Sequence, residues 1–224
     1  MIIVFDLDDT LYEEATFAIS GFRAVVREFK EPDIWDNESS EKFLLNLVRL
    51  RDKAFNLWLN EMEIFSEINL RTCINIFRHH IPSIDPYPEI IDFLLKNPFK
   101  NYYIVTDGDT GVQRAKYNAL GIQEIIRNFY PTSYYGLEYA KPSVKIFNHI
   151  RKIENIKWDE LLYIGDDPRK DFLNLKKVGA LTIRIKQGRF KHIELDEEFE
   201  AKYCVNSAKE LVALMKGILR NEYC

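Results

Sequence analysis

The stretch IIVFDLDDTLY, residues 2–12, joins an unbroken apolar run to three carboxylates in four positions, Asp6, Asp8 and Asp9. The run is β-branched, shows no alternation and stops at polar residues, the pattern of a strand buried on both faces of a parallel sheet. Similar runs recur in YYIVTDG (residues 102–108), LLYIGDD (residues 161–167) and LTIRI (residues 181–185). The first three of the four end in Asp, Thr or Gly on the C-terminal side of the expected strand. Open α/β sheets bind their ligands at that end.

Helical patterns lie between these runs. Residues 88–96 carry apolar positions at 90, 91, 94 and 95, and residues 111–120 run up to Gly121, which suits a helix C-terminus. Residues 143–150 and 170–178 follow, the latter before Gly179. This alternation predicts an α/β fold, a doubly wound, mainly parallel, Rossmann-like sheet. Residues 13–86 interrupt it with three apolar stripes at helical spacing. These are Ala15, Ala18, Ile19, Phe22, Val25, Val26 and Phe29; then Phe43, Leu47, Leu50, Ala54 and Leu57; then Leu70, Ile74, Phe77 and Ile81. Three or four inserted helices are expected, with Phe22, Phe55, Trp58 and Phe77 in their core. The predicted division is a core of residues 1–12 and 87–224 and a helical cap of residues 13–86, serving either as a lid or as an ordinary subdomain.

The chain has 224 residues, 46% hydrophobic and 29% charged, as expected of a soluble globular protein rather than a disordered one. Its net charge of -4 supplies no attraction to nucleic acid or anionic membranes, and neither is expected as a partner. Cys73, Cys204 and Cys224 are odd in number, far apart and without C-x-x-C spacing. They point to a reducing, cytoplasmic setting without a disulfide framework or structural zinc. No basic stretch leads into an apolar leader, and no apolar run approaches the roughly 18 residues of a membrane span.

Four polar clusters stand at expected strand ends: Asp6, Asp8 and Thr10; Thr106 in VTDG; Lys141 in AKPS; and Asp166, Asp167 and Asp171 in GDDPRKD. If the strand ends converge, these carboxylates face one lysine and one hydroxyl. Two like unit charges about 4 Å apart repel by roughly 4 kcal/mol at an effective dielectric near 20. The cluster must therefore take up protons or bind a cation. All-oxygen donors without a suitable His or Cys favour a hard ion, Mg²⁺ before Ca²⁺ or Mn²⁺. A lysine and a threonine hydroxyl beside such an ion make a site for a phosphoryl group.

The order FDLDDTLY, YPEIIDFLL, VTDG, KPSVKIF, YIGDDPRKDF and KKVGA resembles the haloacid dehalogenase superfamily, in its phosphatase branch with a helical cap after the first strand. The resemblance covers almost the whole chain. It implies a Mg²⁺-dependent phosphomonoesterase acting on a small phosphorylated metabolite, such as a nucleotide, a sugar phosphate or phosphoglycolate. It assigns Asp6 as nucleophile and Asp8 as general acid and base, with the Asp8 backbone carbonyl also on the metal. Thr106 and the backbone N–H groups of Asp107 and Gly108 would hold phosphate, and Lys141 would pair with Asp6 and phosphate. Asp6 and Asp166 would bind metal, with either Asp167 or Asp171 as a further ligand or support.

Some of these residues also have plainer readings. Asp9 and Thr10 suit a turn, the Asp107 side chain suits a turn, Asp171 suits a helix N-cap, and Arg169 and Lys170 suit solvent. Tyr12 suits either substrate contact or packing. His79 and His80 are adjacent and lack a partner at ligand spacing, and His192 in HIE lacks a downstream P-C-x-x-C. The segment 192–202 reads as a solvated loop or helix face.

Other functions remain open beside the phosphatase. A true dehalogenase does not need the carboxylate that Asp8 supplies. A phosphosugar mutase would share the site. A receiver domain is about half this length, with its phosphorylated Asp after a later strand. A silent binding protein would keep the fold without the chemistry. Oligomeric state is not encoded in any motif.

Overall fold

A computed structural model describes residues 1–29, 36–98 and 101–221. They form two units, one of residues 1–13 and 85–224, the other of residues 14–84.

The first unit is built on six parallel strands. β1 (Ile2–Phe5), β2 (Tyr102–Thr106), β3 (Asn128–Pro131), β4 (Leu161–Gly165), β5 (Leu181–Ile185) and β6 (Tyr203–Val205) lie in the order β3-β2-β1-β4-β5-β6. Register is set around β1, where Val4 pairs with Tyr103 on one side and with Tyr163 on the other. Every residue of β1, β2 and β4 is buried, which is why these strands read as continuous apolar runs. One face packs Val4, Tyr103 and Tyr163 with Ile146, Phe147 and Ile150 of the helix Lys145–Ile153. The chain leaves β1 for β2 and β3 on one side, then returns to place β4 on the other. The crevice beyond the carboxyl ends of β1 and β4 is therefore the topological switch point of the sheet.

The second unit contains α1 (Glu14–Glu28), α2 (Asn37–Asn46), α3 (Arg51–Glu61) and α4 (Glu67–His79). Phe22, Val25, Leu44, Ala54, Trp58, Leu59 and Cys73 form its core, with Phe77 packed against it. At Gly21 an added Cβ would stand 2.5 Å from the Phe77 ring, so glycine permits the close approach of α1 and α4. The stripe through Phe43 and Leu57 is not one face. A short 3-10 turn at Val48–Leu50 shifts the phase, leaving Leu50 and Leu57 exposed and turning Phe55 and Trp58 inward.

The remaining helices belong to the first unit: α5 (Pro88–Lys96), α6 (Thr110–Ala119), α7 (Lys145–Ile153), α8 (Leu173–Lys177) and α9 (Ala208–Asn221). α5 opens on Pro88 and lies against α9. α6 ends before Gly121, whose φ of 66° suits the left-handed position after a helix. α8 is shorter than the expected 170–178, because residues 166–171 are held by side-chain contacts in the site. Strands β3 and β6 were not expected. Cys204 lies in β6, and Cys224 falls outside the described residues.

Candidate active site

β1 delivers Asp6 directly to the switch point, where its N–H donates to the Ile164 carbonyl at 2.8 Å. One Asp6 carboxylate oxygen accepts from the Leu7 N–H at 2.8 Å, and the other meets Lys141 Nζ at 2.9 Å. Asp8, two residues on, faces different partners. Its carboxylate takes Lys116 Nζ at 2.8 Å, Gln113 Nε2 at 2.9 Å and the Tyr12 hydroxyl. Tyr12 is fully buried and does not stand open to a ligand.

The turn after β2 supplies the next parts. Thr106 Oγ1 accepts from Gln113 Nε2 at 2.7 Å. Gly108 adopts φ 123°, a conformation open to glycine, and Asp109 caps α6 through the N–H groups of Gly111 and Val112. The Asp107 carboxylate does more than form a turn. It accepts from Thr132 Oγ1 at 2.6 Å and from the Lys141 backbone N–H at 3.1 Å, which fixes the segment carrying Lys141. Lys170 Nζ also stands 3.4 Å from Asp107, so this lysine is not simply solvated.

Lys141 is buried among Asp6, Asp171 at 2.8 Å and the Tyr163 hydroxyl at 2.9 Å. Asp171 is not a helix N-cap, since α8 begins after Phe172. Its carboxylate accepts from the Asp167 N–H at 3.0 Å and the Tyr163 hydroxyl at 3.1 Å. Gly165 makes this possible, because a Cβ there would collide with the Asp171 carboxylate. Asp6, Asp166 and Asp171 each bring one oxygen within 4.8 Å of the others, and all three are buried.

Asp167, expected with Asp171 as a further ligand or support, has its own partner. Arg169 holds both its oxygens, at 2.8 and 2.7 Å, so its carboxylate is not part of the trio. The Asp8 carboxylate is likewise outside it. Asp9 is more than a turn residue. At φ 51° it reaches the loop after β5 and accepts from the Arg189 N–H at 2.9 Å. The Asp9 carboxylate occupies the space where a side chain on Gly188 would begin.

The ion pairs expose an imbalance. Among the described residues, Asp8 pairs with Lys116, Asp167 with Arg169 and Asp107 with Lys170, whereas Asp6 and Asp171 of the trio share Lys141 and Asp166 makes no ion pair. Burial pushes the Asp6 carboxyl up to about 6, against the pull of Lys141. Burial, with Asp171 and Asp6 close by, raises Asp166 well above the usual carboxylate range. Burial opposes the Lys141 charge, yet Asp171 and Asp6 hold its ammonium well above the usual lysine value. For Asp8, burial favours the neutral form, but Lys116, Tyr12 and Gln113 outweigh it and hold the carboxyl below its ordinary value. A buried all-oxygen trio short of positive charge fits a hard divalent cation such as Mg²⁺.

Gln113, Lys116 and Tyr163 escaped the sequence reading. The available signal was the spacing of Gln113, Lys116 and Leu120, all buried, which places two polar side chains on the inward stripe of α6.

A parallel sheet bearing a carboxylate trio and a buried lysine at its switch point is the class of α/β protein that the four motifs predict. The sequence model of the haloacid dehalogenase-like hydrolases matches residues 3–185, and the chain belongs to that family. Among its relatives is a glyceraldehyde 3-phosphate phosphatase of Methanocaldococcus jannaschii, 29% identical over 229 residues and covering 98% of each chain. In solved structures the fold recurs in a magnesium-bound HAD-hydrolase fold from Bacillus subtilis, at TM-score 0.65 and 16% identity, covering 95% of this chain and 97% of that one. It recurs equally in a dehalogenase, at TM-score 0.61 and 18% identity, covering 95% and 96%. Family and fold thus match the expectation drawn from the four motifs. The fold itself is common to chemistry at carbon and at phosphorus.

Proposed function

We propose that the chain is a Mg²⁺-dependent phosphomonoesterase acting on a small phosphorylated metabolite through an aspartyl-phosphate. The observation that carries this reading is the charge imbalance: three buried carboxylates, two of them sharing Lys141, stand beside a fourth, Asp8, held apart from them by Lys116. A dehalogenase reaction at carbon has no use for Asp8 or for a cation. The name of the Methanocaldococcus relative makes glyceraldehyde 3-phosphate the first substrate to test.

Asp6, Asp166 and Asp171 would hold Mg²⁺, together with the Asp8 backbone carbonyl, and Asp167 would support the loop through Arg169 rather than bind. Bound there, Mg²⁺ would neutralise charge on the transferring phosphoryl group. Thr106 Oγ1 and the N–H groups of Asp107 and Gly108 would bind phosphate oxygens. An Asp6 oxygen attacks phosphorus, the bond to the leaving oxygen breaks, and Asp8 gives that oxygen a proton. Asp8 then takes a proton from water as the water oxygen attacks phosphorus, releasing phosphate and restoring Asp6. Lys141 offsets the charge that develops at Asp6.

The test is phosphate release from glyceraldehyde 3-phosphate and a panel of other phosphate monoesters, with Mg²⁺ and with a chelator. Chelation should abolish turnover, and Asp6→Asn should lower it by at least about 10³-fold, since removal of a nucleophile disables the whole catalytic unit. Turnover that survives either change overturns the reading. Chloride release from a 2-chloroalkanoate would select the dehalogenase instead.

A further inference from the structure

One polar network in the first unit has no part in the steps above. Gln113 and Lys116 are one turn apart on α6, and both are buried. Gln113 Nε2 lies at 2.9 Å from the Asp8 carboxylate, 2.7 Å from Thr106 Oγ1 and 2.7 Å from the Asp107 carbonyl. Its two hydrogens can serve two of these three acceptors at a time, so one amide nitrogen links the expected acid–base residue to the expected phosphate-binding turn. Lys116 Nζ reaches both Asp8 oxygens, at 2.8 and 2.9 Å, and the Tyr12 hydroxyl closes the remaining side.

A buried lysine is costly unless it is paired, and α6 could pack with an apolar residue in its place. A carboxylate on a short side chain has few rotamers, and three donors from two directions select one. We infer that Gln113 and Lys116 are positioning residues that aim the Asp8 carboxylate and set it in register with the phosphate-binding turn. The inference rests on the reading of Asp8 as the proton donor to the leaving group.

Leaving-group chemistry separates this role from a structural one. An alkyl phosphate must have its leaving oxygen protonated, whereas p-nitrophenolate departs without a proton. The parameter kcat/KM reports phosphoryl transfer to Asp6 with either substrate. In Lys116→Met it should fall about 100-fold for an alkyl phosphate but only about 3-fold for p-nitrophenyl phosphate, the range open to a general acid. Lys116→Arg should recover most of the loss, and Gln113→Met should show the same substrate asymmetry. A crystal structure of Lys116→Met should show the Asp8 carboxylate turned away from Tyr12.

Equal losses on the two substrates, or no loss on the alkyl phosphate, would overturn the inference while leaving the phosphatase reading intact. If unsubstituted protein with Mg²⁺ turns over neither substrate, the phosphatase reading falls and the inference falls with it. Should Lys116→Met not fold, Gln113→Met carries the same comparison.

Discussion

Asp6 and Asp8 stand two positions apart and meet opposite electrostatic surroundings. Burial raises Asp6 to about 6, while Lys116, Tyr12 and Gln113 outweigh burial at Asp8 and lower it. These directions belong to the site without a cation, and a cation bound at Asp6 would favour its ionised form. The raised carboxyl has a thermodynamic consequence. Its contribution to stability is fully present below the unfolded value of 3.8 and is lost as pH rises through about 6. A cation bound by Asp6, Asp166 and Asp171 needs those groups ionised, so it competes with protons over the same range. The rise in Tm on adding Mg²⁺ should therefore be small near pH 5 and larger near pH 7.5, as differential scanning fluorimetry can measure. A pH-independent rise would place Mg²⁺ elsewhere. Most of these acids were legible in the sequence because each ends an apolar run. The different surroundings of Asp167 and Asp171 were not, since they depend on which carboxylate Arg169 captures and which one Gly165 admits.

The same division holds for the elements. Strands buried on both faces announced themselves, and Ile2–Phe5 and Leu181–Ile185 lie where expected. β3 and β6 did not. One ends on Pro131 and the other has three residues, so neither carries a periodic signal. The acidic segment 192–202 read as solvated, but it holds an anchor. Arg184 of β5 is fully buried and bonds Glu200 and the carbonyls of Phe190, Ile193 and Asp166. The planar guanidinium serves these acceptors together, which a lysine cannot do. Arg184→Met should cost about 3–5 kcal/mol in urea unfolding, the usual range for breaking a buried ion pair, and Arg184→Lys should recover little of it.

At the scale of the whole molecule, the alternation of strands and helices gave the α/β class, and the interruption between β1 and β2 marked the helical unit. The pairing of distant polar groups stayed hidden, because Lys116 with Asp8 and the Arg189 backbone N–H with Asp9 are contacts across more than a hundred residues of chain. The last of these has a bearing on how such a chain tolerates change. Gly188 carries no functional group, yet the Asp9 carboxylate fills the space its side chain would need, and its φ is 63°. Gly188→Ala should destabilise the fold by about 1–3 kcal/mol and reduce turnover further than that loss explains, by displacing the strand end that bears Asp6. Thermal unfolding and kcat measured on the same sample would separate the two effects. In a saturation screen, position 188 should therefore score nearly as intolerant as the acids. A tolerance map would mark it as a hotspot although it has no chemistry of its own, and second-site revertants should cluster at position 9.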